Sequence, residues 1–144
     1  MLIKQKLLEV IKESEPIISR DLAIRFILLI GSQVTGKRGP MSDVDLAIYV
    51  DPEEYGNRAF HVHVEVGLLL SRKLKRDDID IVILNDAPPT LRFGAIKNGH
   101  ILYIKDESEY EDYVVRTLSE YYDSSYFLNR QFQYARTALQ GDSE

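Results

Sequence analysis

Residues 31–50 read GSQVTGKRGPMSDVDLAIYV, and this stretch decides the fold. An apolar run, Phe26-Ile27-Leu28-Leu29-Ile30, leads into Gly31-Ser32. Ten residues then separate Ser32 from Asp43-Val44-Asp45, and a second apolar run follows, Leu46-Ala47-Ile48-Tyr49-Val50. The pattern predicts strand, glycine turn, connector, strand. Side chains at i and i+2 of a strand share a face. Asp43 and Asp45 therefore project together, with Cα atoms roughly 6.5 Å apart. Two carboxylates on one face repel unless a cation joins them. A hard divalent ion such as Mg²⁺, shared with substrate phosphates, is the usual solution. Gly31 lets backbone N–H groups approach an anion closely, and Ser32 adds a hydroxyl donor.

A third acid comes later, in Asp78-Ile79-Asp80-Ile81-Val82-Ile83-Leu84. Alternation puts Ile79, Ile81 and Ile83 on one face and Asp78, Asp80 and Val82 on the other. The earlier strand divides in the same way, with Val44, Leu46, Ile48 and Val50 opposite Asp43, Asp45, Ala47 and Tyr49. If the two strands are neighbours, their branched faces are buried together and three carboxylates stand on the other side. Three carboxylates can hold two ions ~3.5–4 Å apart, the arrangement for in-line displacement at phosphorus. Alternation leaves Asp78 and Asp80 both open as the third acid.

The Gly31-Ser32, Asp43-x-Asp45 and Asp80 set resembles the DNA polymerase β-like nucleotidyltransferases. More closely, the chain resembles the minimal nucleotidyltransferase (MNT) antitoxins paired with HEPN toxins. The likeness continues through the segment from Asp80 to Leu91 that contains Ala87-Pro88-Pro89, then Asn98-Gly99-His100 to Tyr103, and Tyr121-Tyr122-Asp123, covering roughly residues 1–135. One departure is Thr35, which stands where members of the family often carry arginine; Lys37 and Arg38 follow at once.

The resemblance implies an α/β (α+β) nucleotidyltransferase palm, a mixed sheet of about four strands flanked by helices. It selects Asp80 over Asp78. It implies transfer of AMP from ATP to a tyrosine hydroxyl of a cognate HEPN RNase toxin, in a hetero-oligomer. Asp43, Asp45 and Asp80 are then the catalytic and metal-binding residues, for two Mg²⁺ ions. Gly31, Ser32, Lys37 and Arg38 are the nucleotide-binding residues. Two other functions compete. One is a non-catalytic antitoxin that inhibits by binding alone. The other is a small-molecule nucleotidyltransferase of the aminoglycoside type, for which no acceptor domain is apparent.

Bulk properties narrow the field. A chain of 144 residues suits one domain, expected over 1–140 with a helical segment from about 107. It has no cysteine, which excludes disulfides, thiolate nucleophiles and cysteine zinc sites. With 44% hydrophobic and 28% charged residues it reads as a globular chain, and no run is long enough for a membrane helix or a signal core. A cytoplasmic location is the expectation. A net charge of −5 without a basic stripe argues against direct nucleic-acid binding.

Elsewhere the periodicity predicts an amphipathic helix over 2–13, from Ile3, Leu7, Val10 and Ile11. Residues 55–75 read as a second helix whose C-terminal end carries Arg72, Lys73, Lys75 and Arg76. Those bases complement the helix dipole as a solvated end, or one of them reaches a triphosphate or an acidic partner. His61 and His63, spaced i, i+2, do not share a helix face and make a poor chelating pair. Residues 91–97 are expected to form a short helix stopped by Asn98-Gly99, and 101–104 a strand. From Glu107 to about Leu139 the pattern is helical, one helix or two, with Asp123-Ser124-Ser125 as the candidate cap of the second. Its many tyrosines suit core packing and an interface equally.

Overall fold

The computed structural model describes residues 2–31 and 44–142. Helix α1 (Leu2–Glu13) and a π-type turn (Ile17–Asp21) precede strand β1 (Ile24–Ile30). Strand β2 (Val44–Val50), helix α2 (Pro52–Leu74) and strand β3 (Ile79–Ile83) follow, then a 3₁₀ turn (Leu84–Asp86). Helix α3 (Pro89–Asn98), strand β4 (His100–Ile104) and helix α4 (Glu107–Asp142) complete the described order. The result is the expected α/β class, a mixed four-stranded sheet flanked by helices.

The sheet runs β3-β2-β1-β4. β1 is antiparallel to both β2 and β4, and β2 is parallel to β3. A parallel pair needs a long crossover, and α2 supplies it. Asp51 starts that helix by accepting the backbone N–H of Glu53 at 3.0 Å, with Pro52 at the first position. Lys75 ends it in the left-handed conformation, φ 55°, donating its N–H to Ser71 O. β2 is buried along its whole length, whereas β3 at the edge is half-buried.

Alternation along β2 divides the core in two. Val44, Leu46, Ile48 and Val50 pack with Leu7, Val10 and Ile11 of α1 and Val62, Val66 and Leu70 of α2, with Ile79, Ile81 and Ile83 against them. Ala47 and Tyr49 face the other way, with Phe26, Leu28, Ile30, Ala95 of α3 and Tyr113 of α4. Phe26 stacks on Tyr49 at 5.2 Å and meets Tyr110 and Tyr113 edge-on.

Two side chains tie distant segments. Asn85 accepts the N–H of Val50 at 2.9 Å and donates to its carbonyl at 2.8 Å, locking the end of β2 to the turn after β3. Arg25 pairs with Asp51 at 2.9 Å and Glu109 at 3.6 Å, joining β1 to the starts of α2 and α4.

The C-terminal segment is a single helix. α4 runs straight through Asp123-Ser124-Ser125, since serine and aspartate are only modestly poorer helix formers than alanine and do not by themselves end a helix. Tyr110, Tyr113 and Tyr121 pack, the last stacked on Phe93 of α3 at 4.1 Å. Tyr122 and Tyr134 are exposed.

Candidate active site

Sheet register brings three strands together at one end. Ile30, the last residue of β1, pairs with Asp45 near the start of β2. Asp45 in turn pairs with Asp80 near the start of β3. Register partners in adjacent strands lie about 4.8 Å apart and point to the same face. Asp45 and Asp80 therefore stand side by side, with Gly31 one residue beyond the pair. Their face is that of Ala47, Tyr49 and Val82, opposite the branched side chains, as alternation predicts. Asp45 is 2% exposed and Asp80 half-buried.

Asp43, Ser32, Lys37 and Arg38 lie outside the described residues. Among those described, no three acidic, histidine or cysteine side chains group closely enough to hold a metal. Asp45 and Asp80 are two of the three acids that the sequence reading expects to hold a metal. Their donor set fits Mg²⁺, which takes hard carboxylate oxygens, usually one or two, and leaves its other positions to water and phosphate. Two carboxylates placed side by side repel each other, and a cation between them would offset that repulsion.

Asp78 is placed differently. It lies just before β3, where its backbone carbonyl accepts the N–H of Val44 at 3.0 Å. Its carboxylate grips Arg76 through both Nε and Nη2, each at 2.5 Å. Those hydrogen bonds hold the Asp78 carboxyl below the usual carboxylate value, partial burial opposing them. An acid so engaged is a structural partner of a guanidinium, which leaves Asp80 as the acid beside Asp45.

Two depressions reach this end of the sheet. One, of about 340 Å³, is lined by Ile30, Gly31, Val44, Arg76, Asn98 and His100. The other, of about 490 Å³, lies between α2 and the outer edge of β3, and Asp80 lines it with His63 and Ser71. Gly31 is exposed, and a Cβ built there would meet no atom of the described residues within 4 Å, so packing among them does not demand glycine. Close approach of a ligand to the backbone is a physical reason for it that remains. His61 makes a side contact with Glu65 at 3.8 Å, one turn along α2. Sequence reasoning passed over Asn98 and His100 as cavity walls, and it named Arg76 only as one of four bases at the end of α2, without singling it out. Only the Arg76-x-Asp78 spacing hinted at Arg76.

Residues 7–108 match the family described as polymerase beta, nucleotidyltransferase. The chain belongs to that family. Within it, this nucleotidyltransferase is 30% identical over 100 residues to protein adenylyltransferase MntA of Aphanizomenon flos-aquae (strain 2012/KM1/D3), covering 66% of this chain and 67% of that protein. Solved structures agree on the fold. A crystal structure of a toxin–antitoxin with AMP-PNP contains a chain with TM-score 0.51 and 22% identity, over 96% of both chains. A complex of tri-AMPylated Shewanella oneidensis HEPN toxin with MNT antitoxin gives TM-score 0.51 and 21% identity, over 98% of this chain and 95% of that one. Among the described residues of this nucleotidyltransferase, no helix is long and apolar enough to cross a membrane.

Proposed function

We propose that this nucleotidyltransferase is an adenylyltransferase antitoxin, moving AMP from ATP to a tyrosine hydroxyl of a HEPN toxin. The observation that carries the reading is the register pairing of Asp45 with Asp80 beside Gly31. The MntA relative, itself an adenylyltransferase, supports the reaction class, and the toxin–antitoxin complexes of the same fold support the kind of partner.

In this reading the toxin's tyrosine oxygen attacks the α-phosphorus, the bond to the α,β-bridging oxygen breaks, and pyrophosphate leaves. Asp80 accepts the hydroxyl proton. The depression between α2 and β3 gives an acceptor access to Asp80 from the sheet edge. The Gly31 backbone and the Ser32 hydroxyl hold the β- and γ-phosphates, with Lys37 and Arg38 adding charge from the connector. Asp43, Asp45 and Asp80 are the residues that would hold Mg²⁺. When bound, the metal polarises phosphate oxygens and offsets the charge that develops on them.

The competing reading is inhibition by contact alone. Nucleotide dependence separates the two. The toxin's RNase activity is measured after incubation with the antitoxin, with and without ATP and Mg²⁺, followed by separation of the proteins. The transfer reading predicts a toxin that stays inactive only when ATP was present. A toxin that recovers fully in every case would leave a binding antitoxin.

A further inference from the structure

The basic end of α2 offered two readings from sequence, a solvated helix terminus or a group that reaches an anion. The structure separates its members. Lys73 turns to Glu13 of α1, at 3.8 Å. Arg76 lies beyond the left-handed turn at Lys75, and that turn carries the chain back toward the start of β3. Arg76 thereby becomes a wall of the 340 Å³ cavity whose other walls include Gly31, Val44, Asn98 and His100. A cavity of that size lies within the range of small-ligand sites. Arg72, Lys75 and Asp77 line an adjoining depression together with Arg76.

We propose that Arg76 binds the β- and γ-phosphates of the nucleotide, with Asp78 as its positioning residue. The inference rests on the nucleotidyltransferase reading and adds to it a substrate contact from outside the glycine turn. Three observations converge on it. The cavity that Arg76 lines is also lined by Gly31, which packing among the described residues leaves open to a ligand. The guanidinium is oriented rather than swinging, because Asp78 holds it through two atoms at 2.5 Å. Asp78 is itself fixed to the sheet through Val44, one residue from Asp45. A guanidinium carries five N–H donors in a planar fork, so it can grip a carboxylate through one edge and phosphate oxygens through another. A group mounted in this way keeps its geometry as the ligand arrives, which is what phosphate recognition needs.

The test is isothermal titration of the intact chain with ATP and Mg²⁺, and separately with AMP, for wild type, Arg76→Ala, Arg76→Lys and Asp78→Asn. AMP lacks the phosphates that Arg76 would hold. Arg76→Ala is expected to weaken ATP by about 10- to 100-fold, the worth of a charged hydrogen-bond pair, and AMP by less than about twofold. Arg76→Lys keeps the charge and loses the fork, so a smaller loss confined to ATP is expected. Asp78→Asn is expected to weaken ATP selectively too, and to raise the KM for ATP more than it lowers kcat. If the alanine variant does not fold, the lysine variant decides by the same ATP-against-AMP comparison. Equal losses for ATP and AMP, or ATP affinity unchanged in both Arg76 variants, would overturn the assignment while leaving the nucleotidyltransferase reading intact. A wild-type chain that binds no ATP would overturn both.

Discussion

Asp45 and Asp80 were legible as a pair because strand alternation is rigid. Once β2 and β3 are neighbours in this register, the acids have no choice of face. A metal prediction follows. Mg²⁺ should raise the melting temperature of the wild type in a concentration-dependent way, and Asp80→Asn should remove most of that rise. Differential scanning fluorimetry with and without a chelator measures it. Asp78 was harder to assign, since alternation puts it on the same face as Asp80. Its ion pair with Arg76 spans only two residues, and periodicity is blind to such a local contact. Because the folded Asp78 carboxyl lies below its ordinary value of 3.8, its stabilising effect is present above that range and lost as pH falls through the lowered value. The gap in melting temperature between wild type and Asp78→Asn should therefore be widest near neutral pH and close below pH ~4. A gap that stays constant down the titration would contradict the ion pair. Gly99 was read as a helix stop, and the structure gives a stronger reason for it. A Cβ there would lie 2.3 Å from Ala95 O and 3.3 Å from Ile30 of β1. Gly99→Ala is expected to cost about 1–3 kcal/mol in urea unfolding, as overpacking does.

Four strands and the helices between them were visible as elements, because β-branched runs and amphipathic periods are strong local signals. Strand order was not. That β1 sits between β2 and β4 depends on long-range pairing, which no short window of sequence contains. The segment after β3 shows the same limit. Its sequence marks a turn and a stiff Pro88-Pro89 connector, but not that Asn85 would replace backbone partners for Val50 on the strand before. Asn85→Ala leaves the fully buried Val50 without either bond and is expected to cost about 1–3 kcal/mol of stability. Urea denaturation checks it. Arg72, Lys73, Lys75 and Arg76 were alike as helix-end bases, and only the left-handed turn at Lys75 distinguished Arg76 from the rest.

For the whole molecule, α4 is an element whose extent the sequence showed, from Glu107 to about Leu139, while leaving open whether it was one helix or two. Thirty-six residues make a helix roughly 54 Å long. Its first half completes the core through Tyr113 and the stack of Tyr121 on Phe93. Farther on, the described side chains from 129 to 139 are exposed, Tyr134 and Leu139 among them. A chain ended at residue 128 should accordingly melt within about 2 °C of the full chain, since few buried contacts are lost. A large drop would mean that the outer half of α4 supports the fold. The central claim concerns the partner rather than the fold, and intact-mass spectrometry addresses it directly. The HEPN toxin is incubated with ATP, Mg²⁺ and either the wild-type nucleotidyltransferase or an Asp45→Asn, Asp80→Asn double variant. The account predicts one or more AMP units added to the toxin by the wild type and none by the variant. A toxin whose mass never changes, yet is neutralised equally by both forms, would contradict it.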